Sequence, residues 1–375
     1  MKKILVVGLL LFPGFLFAQD DEPEINVAGV RFLNFSNNLP DNLLTSKAVV
    51  LMQLPAQSAT SSIRKDWKPM AESAHDVFKQ VGVDAVAYYF MDDVISGREP
   101  REAFAKDMKD REIEILIIIS DVKLKIKNKE TERYVIFITA FNGETSLMDN
   151  GQAAWKTQNK DLDKGLDKLR KGASKQRLVN ENLLIVDYPE IVRDLDVIKG
   201  RRAETYSNSL NIDKVAFTKF PTADIPDQRP GGMINNAIAK EGEASNAAAA
   251  SKNRKLDQLL QSYPFGYTLT EAEADEQALL NQGYSYVIYL LNTTGMGVRY
   301  MLDYEIEEGV SDFITVKQKG GKTTLRNIPT EAPIYKYYLK HLRTKDVYVG
   351  SRWDADESWE EALDNFISNI KKDFR

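Results

Sequence analysis

The chain has 375 residues, no cysteine and a formal charge of −5. Without cysteine there are no disulfides, thiolate metal sites or thiol nucleophiles, so stability has to come from burial. The mild acidity argues against a nucleic-acid partner, which calls for a concentrated basic face, and a chain this long ordinarily folds around more than one core.

Lys2 and Lys3 precede an apolar run from Ile4 to Phe17, broken by Pro13-Gly14. Ala18 then stands before Gln19 and the acidic Asp20-Asp21-Glu22. Positive charge, apolar run and small residue in that order read as a secretory signal over residues 1–18, cleaved after Ala18. The run is shorter than the roughly 20 residues that a membrane span needs. No cysteine follows it to carry a lipid. The most apolar later segment, Ile113 to Ile119, contains Glu114 and has the length of a strand. The expectation is an exported chain, periplasmic, associated with the outer membrane or extracellular, with no transmembrane segment after processing.

Beyond a short arm (19–45), a first α/β module is expected over 46–175. Ala48 to Leu54 reads as a buried strand ended by Pro55. Ile63, Trp67, Met70, Ala71, Ala74, Phe78 and Val81 recur at helical spacing, and Gly82 follows where a helix should stop. Val83 to Phe90 reads as a strand. A second helix starts near Pro100, with Phe104 and Met108 on one face. Ile113 to Ser120 and Tyr134 to Phe141 are strands, and Trp155 precedes a helix that carries Leu162, Leu166 and Leu169.

A connector (176–212) holds one strand-like piece, Leu183 to Tyr188. The second module (213–375) repeats the order. Asp213 to Phe220 reads as a strand ended by Pro221. Pro226, Pro230, three glycines and little apolar periodicity over 221–252 predict a long mobile loop, whose alanine tract Ala247 to Ala250 extends the following helix. That helix carries Leu256, Leu259, Leu260 and Tyr263. Phe265 to Leu269 is a short strand, Glu271 to Gln282 a helix stopped by Gly283, and Tyr284 to Leu291 the counterpart of the Ile113 strand. Ile334 to Leu342 and Val347 to Gly350 are strands. Trp353 then precedes a helix with Trp359, Ala362, Leu363, Phe366 and Ile370 inward.

Strand, helix, strand, helix, strands, Trp, helix is therefore spelled twice. The fold expected is α/β (α+β), as two tandem, duplicated modules, each a mixed sheet with helices and a final Trp-preceded helix. Val49 to Leu54, Val215 to Phe220, Trp155, Trp353 and their helices give each module the order of small α/β modules of bacterial envelopes. In that order the chain resembles the TolB N-terminal domain and the LpoB- and CsgG-like folds. The end of the signal, Phe17-Ala18-Gln19, looks like that of exported Bacteroidota proteins. Such a resemblance implies a fold and an envelope setting, not an activity.

Few residues carry recognisable chemistry. Gly321-Lys322-Thr323 matches the end of a phosphate loop, but Val316 occupies the first glycine position. The flanks Phe313 to Val316 and Thr324-Leu325 read as a hairpin rather than a strand opening a helix. His75 and His341 have no metal-ligand spacing, and no nucleophile elbow is present. Asp92-Asp93 lacks a calcium-loop ladder, and Asp354, Asp356 and Glu357 stand where carboxylates cap a helix. Arg201-Arg202 and Lys168 to Lys175 read as solvated faces. No catalytic, cofactor-binding or metal residue is assigned. The tyrosines of the second module pair apolar area with a polar tip, and among them Tyr335 and Tyr337 are the residues expected to bind a partner.

These readings favour a non-catalytic envelope or secreted protein that docks to an envelope protein or cell-wall component, without cofactor or nucleic acid. One alternative is a hydrolase or nucleotide-binding enzyme. A second is a glycan- or peptidoglycan-binding protein using a tyrosine-rich sheet.

Overall fold

A computed structural model describes residues 33–58, 61–126, 129–149, 151–192, 195, 197–198, 200–222, 233–307, 309–319 and 322–374. Residues 1–18, read from sequence as a secretory signal, and the expected arm up to residue 32 lie outside them. The fold is mixed α/β, built on two large mixed sheets.

In the first half the chain forms β1 (Asn34–Ser36), β2 (Lys47–Gln53), a small hairpin of β3 (Ala56–Ser58) and β4 (Ser61–Arg64), α1 (Lys68–Val81), β5 (Asp84–Phe90), α2 (Met91–Val94), α3 (Arg98–Asp110), β6 (Ile113–Ile126), β7 (Lys129–Ala140), β8 (Ala153–Asn159) and α4 (Leu162–Gln176). The connector adds β9 (Ile191–Val192) and β10 (Arg202–Ala203). The second half follows with β11 (Lys214–Thr218), α5 (Met233–Leu260), β12 (Tyr267–Thr270), α6 (Glu276–Asn281), β13 (Tyr284–Thr294), α7 (Gly295–Met301), the hairpin β14 (Asp312–Lys319) and β15 (Lys322–Pro329), β16 (Pro333–His341), β17 (Val347–Tyr348) and α8 (Trp359–Asp373).

The two halves share one connectivity. The first sheet runs β1-β8-β7-β6-β2-β5-β9 and the second β10-β17-β16-β13-β11-β12. In each, the first long strand lies between the next two strands of its sheet and pairs in parallel with both. The antiparallel returns β6–β7–β8 and β13–β16–β17 then extend the sheet. A short strand from upstream closes that edge in parallel both times, β1 on β8 and β10 on β17.

Alternation along the strands explains the layering, because successive side chains point to opposite faces. In β6 the chain from Ile115 to Ile119 is wholly buried: Ile115, Ile117 and Ile119 face an outer core under α1 and α4, and Leu116 and Ile118 face an inner one. In β13, Tyr286 and Ile288 face the outer core under α5 and α8, while Val287, Tyr289 and Leu291 face the inner core. The inner core is common to both sheets and takes in Met91, Phe104 and Met108 from the first half with Leu279, Val298 and Met301 from the second. Continuous apolar runs on the central strands are what two covered faces require.

Helix ends follow their local signals. Pro69 lies in the first turn of α1, and Gly82 ends it with φ 95°, a backbone that glycine adopts without a steric penalty. Ser358 caps α8 by accepting from the Glu361 amide. Two expectations are corrected here. The segment read as a mobile loop over 221–252 is helical from Met233 onward, since α5 begins there. Ala249, Leu256 and Leu260 are buried along its later turns, and the tract Ala247 to Ala250 favours a helix through alanine's high propensity. The two tryptophans are not at corresponding positions either. Trp155 lies within β8 opposite Ile138 and belongs to an outer core, whereas Trp353 lies beyond β17 and packs against the inner core.

Candidate binding cleft

The carboxyl ends of parallel strands are where open α/β sheets place their crevices. Here two such ends, those of β5 and β13, meet across the boundary between the halves. A cleft of about 270 Å³ opens there, walled by Arg64 to Lys68, Phe90, Asp93, Thr294, Met296, Gly297, Tyr300 and Glu331. The first-half wall is the turn from β4 into α1, and the second-half wall is α7 with the turn before β16.

Hydrogen bonds set the cleft from beneath. Thr293 donates to the buried Asp93 carboxylate at 2.5 Å, and Thr294 caps α7 by accepting from the Gly297 amide at 3.1 Å. A Cβ on Gly297 would fall 2.3 Å from that Asp93 oxygen, so the close approach of the halves needs glycine. Trp67 stacks on Phe90 with ring planes 7° apart and forms an apolar floor.

Most charges at the cleft are already matched. Arg64 pairs with Asp92 at 2.9 Å, and Lys65 with Asp121 at 2.9 Å. Burial raises the Asp92 carboxyl above its ordinary range, with Arg64 opposing the shift. Burial pulls the Lys65 ammonium down, but Asp121 and Glu132 outweigh it and hold it above its usual value. Asp66 accepts from the Lys68 amide at 3.1 Å, a local turn before α1. Three charges differ. Among the described residues, the Lys68 ammonium and the Asp66 and Glu331 carboxylates make no ion pair, although all three line the cleft. The site thus keeps one cation and two carboxylates above an apolar floor, one of the two, Asp66, bonded to the turn before α1.

The residues singled out from sequence lie elsewhere. Tyr337 is 4% exposed and packs on Phe366 of α8, and Tyr335 is half-buried in the same outer core. Burial leaves the Tyr337 ring little surface to present to a partner, whereas Tyr335 on the same strand remains partly exposed. His75 is fully buried, bridging Tyr88 Oη at 3.0 Å and the Val186 carbonyl at 3.0 Å, a structural link between α1 and the connector. His341 accepts from the Thr344 amide in a turn.

The carboxylates before α8 do not cap it. Asp354 pairs with the buried Lys336 at 2.6 Å and Asp356 with Arg326 at 2.8 Å, leaving the cap to Ser358. Lys322 opens β15, paired with Lys319 across the hairpin, and Gly320-Gly321 lie outside the described residues. No group of three or more potential metal-binding side chains occurs among the described residues.

The cleft was missed because its residues come from four separated stretches, none of which forms a motif. The one usable hint was Asp92-Asp93 directly after a strand. No protein-family model, curated protein or solved structure matches the chain.

Proposed function

We propose that the chain is a non-catalytic, exported envelope protein that docks to a protein or cell-envelope partner through the cleft between its halves. The observation that carries this reading is the pairing state of the cleft. Its reactive-looking groups, Arg64, Lys65 and Asp93, are held by partners, while Lys68 and Glu331 are left facing a shared space. Such a pair suits a short partner segment that carries both charges, as an extended peptide does. At about 270 Å³ the space is smaller than a typical cofactor pocket and fits one or two side chains. Export rests on the charge–apolar–small pattern of residues 1–18.

The test is photo-crosslinking in the native envelope with a photoreactive residue at Tyr300, and a second at the exposed Ile212 as control. Adducts of one size are expected from Tyr300 and not from Ile212. They should be lost in Lys68→Glu and in Glu331→Lys. Equal adduct patterns at both positions would overturn the reading.

The enzyme alternative has one observation in its favour, the raised Asp92 carboxyl beside the cleft. An Asp92→Asn variant that keeps the Tyr300 adduct yet abolishes function in cells would move the enzyme to first place.

A further inference from the structure

Natural proteins seldom leave large apolar side chains clustered in water. Here the connector does. Leu183 is 87% exposed, Leu184 93%, Val186 51% and Tyr188 84%, all within six residues of each other. Val179, on the same connector, is 64% exposed. The segment is anchored from below. Glu181 and Asn182 amides bond the Leu44 carbonyl, Asn182 Nδ2 donates to the Gly82 carbonyl, and His75 holds the Val186 carbonyl. Farther along, the Tyr88 amide bonds the Glu190 carbonyl and β9 joins the sheet edge. The backbone is thus tied to the body while the side chains point away from it.

We propose that this strip is a homodimer contact, in which two copies of the chain pack Leu183, Leu184, Val186 and Tyr188 against one another across a two-fold axis. Three features support a second copy rather than a charged partner. Two acidic residues, one inside the strip and one just after it, are matched within the chain: Asp187 pairs with Lys79 at 2.7 Å and Glu190 with Arg111 at 2.8 Å. The stretch from Leu183 to Tyr188 therefore adds no unmatched charge to the contact, despite the chain's −5 charge. The strip is self-complementary, since flexible leucines and a flat tyrosine present the same apolar surface on both sides of an isologous contact. Its size fits as well. Four such side chains offer roughly 400 Å² per copy, which doubles to about 800 Å² and, with a rim, reaches the low end of specific interfaces. That size implies a weak, concentration-dependent dimer rather than an obligate one.

This proposal does not depend on the cleft. The chain has no cysteine, so one introduced cysteine reports one contact. Leu184→Cys is expected to form a disulfide-linked dimer under mild oxidation at least tenfold faster than Ile212→Cys, whose site is equally exposed. Sedimentation velocity should show the purified wild-type chain moving from monomer to dimer as its concentration rises. Leu184→Lys should remain monomeric with an unchanged circular dichroism spectrum, because a side chain this exposed contributes little to the fold. A wild-type chain that stays monomeric throughout, or crosslinking of Leu184→Cys no faster than the control, would overturn the proposal. So would wild-type flotation with phosphatidylcholine vesicles that Leu184→Lys loses while both remain monomeric, an outcome that assigns the strip to a lipid surface.

Discussion

Lys340 of β16 forms an ion pair with Glu99 at the start of α3, joining the two halves through a contact in which both side chains are about nine-tenths buried. Tyr338 donates to the same Glu99 carboxylate at 2.6 Å, and Lys340 also meets Glu276 at 2.8 Å. Around this pair, Arg98 donates to the Ala274 carbonyl and Arg101 pairs with Glu273. One end of α3 is thereby fastened to the second half by four polar contacts, over an inner core that is itself shared.

The network is asymmetric, and its variants should differ accordingly. Lys340→Met leaves Glu99 buried with only a neutral donor, and losing one partner of a buried pair costs about 3–5 kcal/mol. Glu99→Gln should cost less, because Lys340 keeps Glu276. Urea titrations of the two variants test this, and a larger loss in Glu99→Gln would show that Glu99 is not the stranded group.

Glu276 makes the same region sensitive to acid. Burial alone would raise its carboxyl, but hydrogen bonds from Lys340 and Lys345, and one from Tyr289, outweigh it and lower the group from 4.5 to about 2. A folded-state value below the unfolded one gives stability that is fully present above about pH 4.5 and disappears as pH falls toward about 2. Stability measured across that window should fall less steeply in Glu276→Gln than in wild type. Parallel slopes for the two chains would remove Glu276 from the acid response.

The aromatic residues before and within the last helix should not respond alike. Trp359 is 6% exposed, and its ring meets Phe220 edge-on at 4.9 Å within the outer core. Truncation to alanine there should cost about 3–5 kcal/mol through lost burial and a cavity. Trp353 is only partly buried, against Tyr304, Phe313 and the Arg299 guanidinium. Trp353→Ala should therefore be the milder of the two in thermal unfolding, and a reversed order would contradict the assignment of the two cores.

Periodicity in the sequence encodes most of the regular elements. The strands around Val50, Ile117 and Ile288 are unbroken apolar runs, and the helices around Phe78, Leu166 and Phe366 repeat at helical spacing. Even the matching order of the two halves was visible in this way. Two features had no such signature. The sequence from Met233 to Ala250 holds few large apolar residues, so its helix has little apolar period to detect. Lys336 stands between Tyr335 and Tyr337, and a charge at that position gives no sign of burial in the sequence, yet Lys336 is buried beside the Asp354 carboxylate that it pairs with. The cleft depends on β5 and β13 ending side by side, a juxtaposition of distant segments that no local pattern announces.

Lys336 supports the last prediction. Its side chain is fully buried; the ammonium donates to the carbonyls of Tyr337 and Val349 at 2.9 Å each and forms an ion pair with Asp354 at 2.6 Å. Asp354 in turn accepts from Asn369 at 2.9 Å, which ties the approach to α8 to β16. Lys336→Met should cost about 3–5 kcal/mol, because it strands a buried carboxylate. Asp354→Asn should cost a comparable amount by stranding the ammonium. The double variant removes both charges and still offers Asn369 a carbonyl oxygen. Its remaining deficit is the donor lost to two carbonyls, about 1 kcal/mol for each bond. The double variant should thus be more stable than the sum of the single losses predicts by more than about 1 kcal/mol, the range in which directly coupled residues fall. Because both groups are shielded from solvent, the coupling should change little between low and high salt, unlike that of the exposed pair Lys47–Glu112. Additive losses in the double-mutant cycle, or a coupling that vanishes with salt, would mean that Lys336 and Asp354 are not a dry pair and that water reaches the heart of the second sheet.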